Sequence, residues 1–191
     1  MKNTNNYTTP SQPVDTENLI LRMQKEDKRN KKIMMGMFFL YHIFSIFYTF
    51  LFLINPDPKL TSTDRITGLS FVVAFIIGTI YFVWEYRNFK KVDYSLPIIT
   101  ILEKTEKRYR FFRTKWMPVM IIVSIVSFGI TLSYIDQLAY WDVSLFGKIL
   151  AIQGVYWAIM FIAGIIGYLI WRKRSRPIWK DAKTLLEELR D

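Results

Sequence analysis

The feature that most constrains this chain is a set of four long runs without a charged residue. The runs cover residues 33–54, 66–84, 116–135 and 149–171, and they are 22, 19, 20 and 23 residues long. A helix needs about 20 apolar residues to cross the hydrocarbon core of a bilayer. Helices buried in soluble proteins are rarely so long and so uniformly apolar. The sequence therefore predicts an all-α membrane protein with four transmembrane helices.

Lysine and arginine are distributed unevenly among the segments that separate these runs. Of the 26 basic residues, 23 lie before the first run, between the second and third, or after the fourth. Because basic residues collect in cytoplasmic segments, we expect both termini and the middle segment, 85–115, in the cytoplasm. This distribution accounts for the net charge of +10. Since no groove-binding motif or aromatic nucleic-acid signature accompanies it, we expect no nucleic-acid partner.

Composition divides the chain into four segments. Asn, Thr and Pro dominate the first residues, which lack periodicity and predict a disordered tail. Thr16 is a suitable N-cap for a helix that carries Leu19, Ile20 and Met23 on one face. The predicted segments are a disordered tail at 1–16, a cytoplasmic amphipathic helix at 17–32, a four-helix transmembrane bundle at 33–171, and a C-terminal cytoplasmic helix at 172–191. The bundle includes a helical cytoplasmic loop at 85–115.

The middle segment and the third run together predict one long helix over residues 94–134. Ser95 suits the N-cap position, and Pro97 suits the first turn, where a missing N–H costs nothing. Pro118 lies one turn inside the third run, where proline is expected to kink the helix as it enters the membrane. The first half of this helix belongs in water and the second half in lipid.

Apolar residues in the middle segment recur at intervals of 4 and 3, which is the spacing of a coiled-coil seam. This seam consists of Ile98, Leu102, Thr105, Tyr109, Phe112 and Trp116. The last segment begins a helix at Pro177, and its matching stripe consists of Ile178, Ala182, Leu185 and Leu189. Two interpretations stand: the seam packs against the chain's own cytoplasmic helices, or it docks a cytoplasmic protein partner.

Acidic residues precede basic ones by four positions on the other side of the predicted middle helix. The two pairs are Glu103 with Lys107 and Glu106 with Arg110. Pairs in this order stabilise an exposed helix by about 0.2 to 0.5 kcal/mol each. They indicate a solvated helix face and not a catalytic set.

Two polar residues inside the runs, His42 and Gln153, form a candidate intramembrane site. An ionisable residue within a membrane is a functional-site hypothesis by default. However, no run contains an acidic residue that could exchange a proton with His42. Either these side chains form hydrogen bonds that hold the helices together, or they line the polar cavity of a small transporter or channel.

Small residues spaced four apart occur in the second and fourth runs. Such pairs allow two helices to approach closely. The pairs are Ala74 with Gly78, Gly154 with Ala158, and Ala163 with Gly167. In the fourth run they serve either packing within the chain or formation of a homodimer.

A short pattern in the middle segment resembles small uncharacterised bacterial four-span inner-membrane proteins. It consists of Val92-Asp93-Tyr94-Ser95-Leu96-Pro97 followed by Glu106-Lys107-Arg108-Tyr109-Arg110-Phe111. The resemblance covers this segment and the arrangement of the spans. It implies location in a bacterial inner membrane, and it transfers no site residues because no function is established for that family.

The sequence offers no set of residues for catalysis. A membrane enzyme needs clustered acids, histidines, serines or metal ligands at one depth, and no such cluster or phosphate-binding glycine loop is visible. We therefore predict no catalytic, cofactor or metal site. The favoured hypothesis is a non-enzymatic inner-membrane protein, with the lipid bilayer as its surroundings, whose cytoplasmic helices pack together and hold a regulatory or assembly partner. The alternative is the transporter or channel with His42 and Gln153.

Overall fold

The computed structural model describes residues 15–111 and 116–190, which form helices and no β-strand. Most of the predicted tail, residues 1–14, lies outside the described residues. A π-helical segment, Thr49–Ile54, extends the first helix. The five α-helices are α1 at Thr16–Tyr48, α2 at Ser62–Lys90, α3 at Ile98–Tyr109, α4 at Trp116–Ile135 and α5 at Leu145–Glu188.

Four of these helices, α1 with its π-helical extension, α2, α4 and α5, are long and apolar enough to cross a membrane. They contain the four uncharged runs. The all-α class and the four candidate spans are thus confirmed, and together they indicate a membrane protein.

Side-chain caps set the starts of α1 and α2. The Asp15 carboxylate accepts hydrogen bonds from the backbone N–H groups of Glu17 and Asn18, so the cap lies one residue before the predicted Thr16. Thr61 and Asp64 form a reciprocal capping box at the start of α2, as the Thr-Ser-Thr-Asp cluster there suggests. Local sequence therefore determines where both helices begin.

The four apolar helices lie side by side in the order α1, α2, α4, α5. In the part of the chain that the structure describes, α2 packs against α1 and α4, α4 packs against α5, and the backbones of α1 and α4, like those of α2 and α5, do not approach closely. α1 and α5 also pack against each other, and at their polar ends Arg22 binds Asp181 at 2.9 Å. Residues 161–170 of α5 are all exposed. The four helices therefore contact one another in the cyclic order α1, α2, α4, α5, and the pairs whose backbones stay apart are the diagonal ones.

The predicted continuous helix over 94–134 is wrong. α3 ends at Tyr109, Arg110 adopts an extended conformation with φ −61° and ψ 133°, and α4 begins separately at Trp116. Pro118 is the third residue of α4 as the structure describes it, and because residues 112–115 lie outside the described residues, the kink expected at Pro118 stays a prediction. The break allows α3 to pack against the polar parts of α1 and α5.

The start of α3 also differs from the prediction. Pro97, and not Ser95, occupies the N-cap position. Ser95 belongs to a turn in which its backbone N–H donates to the Asp93 carboxylate at 2.9 Å. This side chain–backbone turn competes with helix formation and delays the start of α3.

The longest helix is α5, in which the fourth run and the C-terminal segment form 44 continuous residues. Pro177 lies inside this helix and does not begin a new one. Proline removes one backbone hydrogen bond, but the Lys and Arg residues before it are good helix formers. The helix therefore continues past Pro177. α1 likewise joins residues 17–32 to the first run without a break.

Candidate functional site

The polar parts of α1, α3 and α5 form a unit with a hydrophobic core of its own. We call this unit the three-helix cluster and define it as residues 15–32, 93–111 and 172–190. Each of the three helices contributes to its core. The buried core residues are Leu19, Met23, Ile101, Leu102, Tyr109, Ile178, Ala182, Leu185 and Leu186.

The residues proposed for the seam in the middle segment and for the matching stripe in the last segment differ in burial. Leu102 and Tyr109 lie in the core beside Ile178 and Leu185, and Ile98 packs against its edge. Trp116 and Leu189 do not belong to the core, because they are 42% and 46% exposed. Trp116 belongs to α4, beyond the break at Arg110, and Leu189 lies past the last turn of α5. Phe112 lies outside the described residues.

Asp27 of α1 is the centre of a buried polar network in the cluster. Its side chain is 7% exposed and forms an ion pair with Arg108 of α3, whose side chain is 14% exposed. Its carboxylate also accepts hydrogen bonds from the hydroxyls of Tyr94, at 2.6 Å, and Tyr109, at 2.5 Å. Three charge-assisted bonds thus satisfy a carboxylate that would be costly to bury alone.

The sequence did not point to this network, because Asp27 lies within the mostly basic run 25–32. One signal was present. Leu19, Met23 and Asp27 are spaced by four residues, so the aspartate shares the buried face of α1. A lone acid in register with an apolar stripe indicates a buried ionic contact, although the sequence does not reveal the partner.

Arg108 therefore lies in the interior of the cluster, whereas Arg110 is exposed. Neither predicted i,i+4 pair is found in the described part of the chain. Glu103 instead binds Arg190 at 2.5 Å, beyond the end of α5. Long-range ion pairs have replaced local ones because α3 folds back against α5.

Aromatic residues connect the three-helix cluster to the apolar helices α4 and α5. Trp171 of α5 donates a hydrogen bond from its indole N–H to the Tyr109 carbonyl at 2.8 Å, which satisfies an acceptor at the C-terminus of α3. The Phe111 ring contacts Trp171 with ring centroids 4.8 Å apart, and Trp116 donates to the Phe111 carbonyl. The break between α3 and α4 is thus held against α5.

The Asp27 network predicts a loss of stability at high pH. Burial, together with the charge and hydrogen bonds of Asp27, raises the pKa of Tyr109 and of Tyr94 well above the ordinary 10.0. The stabilisation is complete below pH 10 and is lost as the pH rises above 10 toward the raised values, by up to about 1.4 kcal/mol per pH unit for a fully buried phenol. Chemical unfolding of the detergent-solubilised protein between pH 9 and 11 measures this slope.

Tyr109→Phe is the control for that measurement, because it keeps the ring in the core and removes the titrating hydroxyl. The variant is expected to lose stability less steeply above pH 10 than the wild-type chain. Equal slopes for the two proteins would mean that lysine titration, and not the network, causes the decline.

The candidate intramembrane residues His42 and Gln153 lie on different helices and form no common site in the structure. His42 is exposed on α1 and stacks against Phe38, with ring centroids 5.8 Å apart. The Gln153 amide accepts from the Ser127 hydroxyl at 2.7 Å and donates to the Thr131 hydroxyl at 2.6 Å, which joins α5 to α4. Gln153 thus acts as a contact between helices.

The described residues contain no group of three or more His, Asp or Glu side chains that could hold a metal ion. Comparisons with protein-family models, curated proteins and solved structures give no match for this chain. The three-helix cluster, whose parts come from both ends and the middle of the chain, is the candidate functional site.

Proposed function

We propose that this chain is a non-enzymatic integral protein of a bacterial inner membrane. In this proposal both termini and the three-helix cluster lie in the cytoplasm, and the cluster holds a regulatory or assembly partner. The observation that carries the proposal is the Asp27 network. It joins α1 to α3 in a buried contact, and the hydrophobic core adds α5, so the polar segments form a defined structure rather than separate membrane-surface helices.

A cleft of about 230 Å³ between α1 and α5 is the proposed contact for the partner. Its basic residues are not all neutralised. Arg22 binds Asp181, and Glu26 binds Arg29. Three further basic residues line the cleft and have no ion pair within the described ranges: Lys25, Lys173 and Arg174. The excess positive charge favours an acidic segment of a partner protein.

Charge reversal in this cleft tests the partner hypothesis. In Lys25→Glu/Lys173→Glu we expect loss of protein crosslinks and of co-purified proteins from native membranes, because the acidic segment would be repelled. Both side chains are exposed, so the fold should be retained. The control Lys28→Glu/Lys32→Glu makes the same charge change on the exposed surface of α1. An unchanged set of crosslinked proteins in the cleft variant would refute the proposal.

The proposed orientation can be tested by labelling, because the chain contains no cysteine. Single cysteines replacing Ser62 and Val143 should react with a membrane-impermeant thiol reagent added to intact cells. Cysteines replacing Lys28 and Lys180 should react only after the cells are opened. All four positions are exposed, whereas Thr105, in the middle segment, is fully buried and unsuitable. Labelling at Lys180→Cys in intact cells would reverse the topology.

A further inference from the structure

A groove of about 380 Å³ lies between the polar end of α2 and the outer face of α3. Trp84 and Asn88 form its α2 side, Lys91 and Asp93 come from the connecting segment, and Lys104 and Lys107 come from α3. This groove shares no lining residue with the α1–α5 cleft. Its volume is at the lower end of the range for small-molecule sites, which favours a small ligand over a protein.

The groove carries an excess of positive charge that the fold does not neutralise. Arg108 also reaches its wall, but Arg108 is committed to Asp27. Lys91, Lys104 and Lys107 form no ion pair at 4 Å or less in the described part of the chain. Asp93 opposes them. Hydrogen bonds from Ser95 and then the charge of Lys104 lower the pKa of Asp93, so it stays ionised. Three ammonium groups face one carboxylate.

The position of the groove relates this charge to the apolar helices. Trp84 is half exposed and ends the second uncharged run, and the groove begins at that residue and extends into the basic segment. Tryptophan at the end of a span marks the level of the lipid headgroups. A lysine-rich groove at this depth is therefore placed where a phosphate attached to a lipid would lie, with its acyl chains along α2.

We propose that this groove binds the phosphodiester headgroup of an anionic phospholipid. Lys91, Lys104 and Lys107 contact the phosphate oxygens. Asn88 and Asp93 offer acceptors for headgroup hydroxyls, which suits phosphatidylglycerol. Basic pockets beside cytoplasmic helix ends are a recurrent form of lipid headgroup site. The inference rests on the proposed membrane insertion but not on the proposed protein partner.

Native mass spectrometry of the purified full chain, released from a neutral detergent, tests the proposal. The probes are phosphatidylglycerol, phosphatidylcholine, and soluble glycerol phosphate added alone. We expect the wild-type chain to retain phosphatidylglycerol in preference to phosphatidylcholine. Lys104→Gln/Lys107→Gln should bind phosphatidylglycerol about 30-fold more weakly, since each lysine near a headgroup contributes about fivefold in affinity.

The control is Lys28→Gln/Lys32→Gln, which removes the same charge from exposed positions on α1. Equal weakening in both double variants would overturn the proposal, because it would show general attraction to a basic surface. Equal affinity for glycerol phosphate and for phosphatidylglycerol would also overturn it, since the occupant would then be a free phosphate ester. Unchanged helix content and unfolding temperature in the groove variant establish that its loss of lipid is not a loss of fold.

Because the groove variant leaves the α1–α5 cleft intact, it should retain the crosslinks of the proposed protein partner. The reverse holds for the cleft variant, which should bind phosphatidylglycerol as the wild-type chain does. The two proposals can therefore fail independently of each other.

Discussion

Asp27→Asn is expected to lower the free energy of unfolding by about 3 to 5 kcal/mol, because it leaves the buried Arg108 guanidinium without its counter-charge. Asparagine has nearly the same shape, so the loss is electrostatic and not a packing defect. The hydroxyls of Tyr94 and Tyr109 would also lose a charged acceptor. Chemical unfolding in detergent measures the change, and limited proteolysis of the three-helix cluster shows where it occurs.

Asp181→Asn is the matched control for that experiment. It removes the Arg22–Asp181 ion pair, whose side chains are 43% and 30% exposed, and should cost no more than about 1 kcal/mol. The double variant Asp27→Asn/Arg108→Gln should recover part of the stability, because no uncompensated charge remains buried. A similar effect of Asp27→Asn and Asp181→Asn would show that the Asp27 network is unimportant for the fold.

Gly68→Ala is the second substitution with a large expected effect, at about 1 to 3 kcal/mol of destabilisation. A methyl group at this position of α2 would overlap Cβ and Cγ of Phe52, and these atoms cannot move aside without moving the backbone of the π-helical segment. The packing between the first two apolar helices would have to loosen. Thermal unfolding of the purified protein provides the measurement.

Gly154→Ala makes the same chemical change where the structure leaves room. Nothing lies within 4 Å of a methyl group added at Gly154 of α5. Alanine also favours a helix over glycine by about 1 kcal/mol in water. The variant is therefore expected to be neutral or slightly stabilising in a monomer. If Gly68→Ala were equally harmless, the close contact between α2 and Phe52 would be contradicted.

Features that depend on local composition were predictable from the sequence. An uncharged run of about 20 residues has few alternatives to a membrane-spanning helix, and the cap at Thr61 follows from neighbouring residues alone. Ala74 and Gly78 are both buried, and a methyl group on Gly78 would overlap the Tyr41 ring. Spacing within one helix predicted a close contact there, whereas the same spacing in α5 gives none within this chain, since nothing lies within 4 Å of a methyl group at Gly154 or Gly167.

Features that depend on contacts between distant segments were not predictable. The Asp27–Arg108 pair joins residues 81 positions apart, and nothing near either residue identifies the other. The break after Tyr109 was missed because the apolar spacing continues across it. Packing of α3 against α1 and α5 requires a turn there, and this tertiary requirement outweighs the local preference for helix.

α1 and α5 each run without a break from their apolar part into the three-helix cluster. At 1.5 Å per residue, the 44 residues of α5 extend over about 66 Å. A tilt of about 5° around the cluster would displace the far end of α5, which lies about 40 Å from it, by about 3.5 Å. The polar ends of α1 and α5 are joined by the Arg22–Asp181 pair, and the Asp27 network lies in the same three-helix cluster. Because both helices enter the cluster without a break, a change in the tilt of either one would alter the contacts within it.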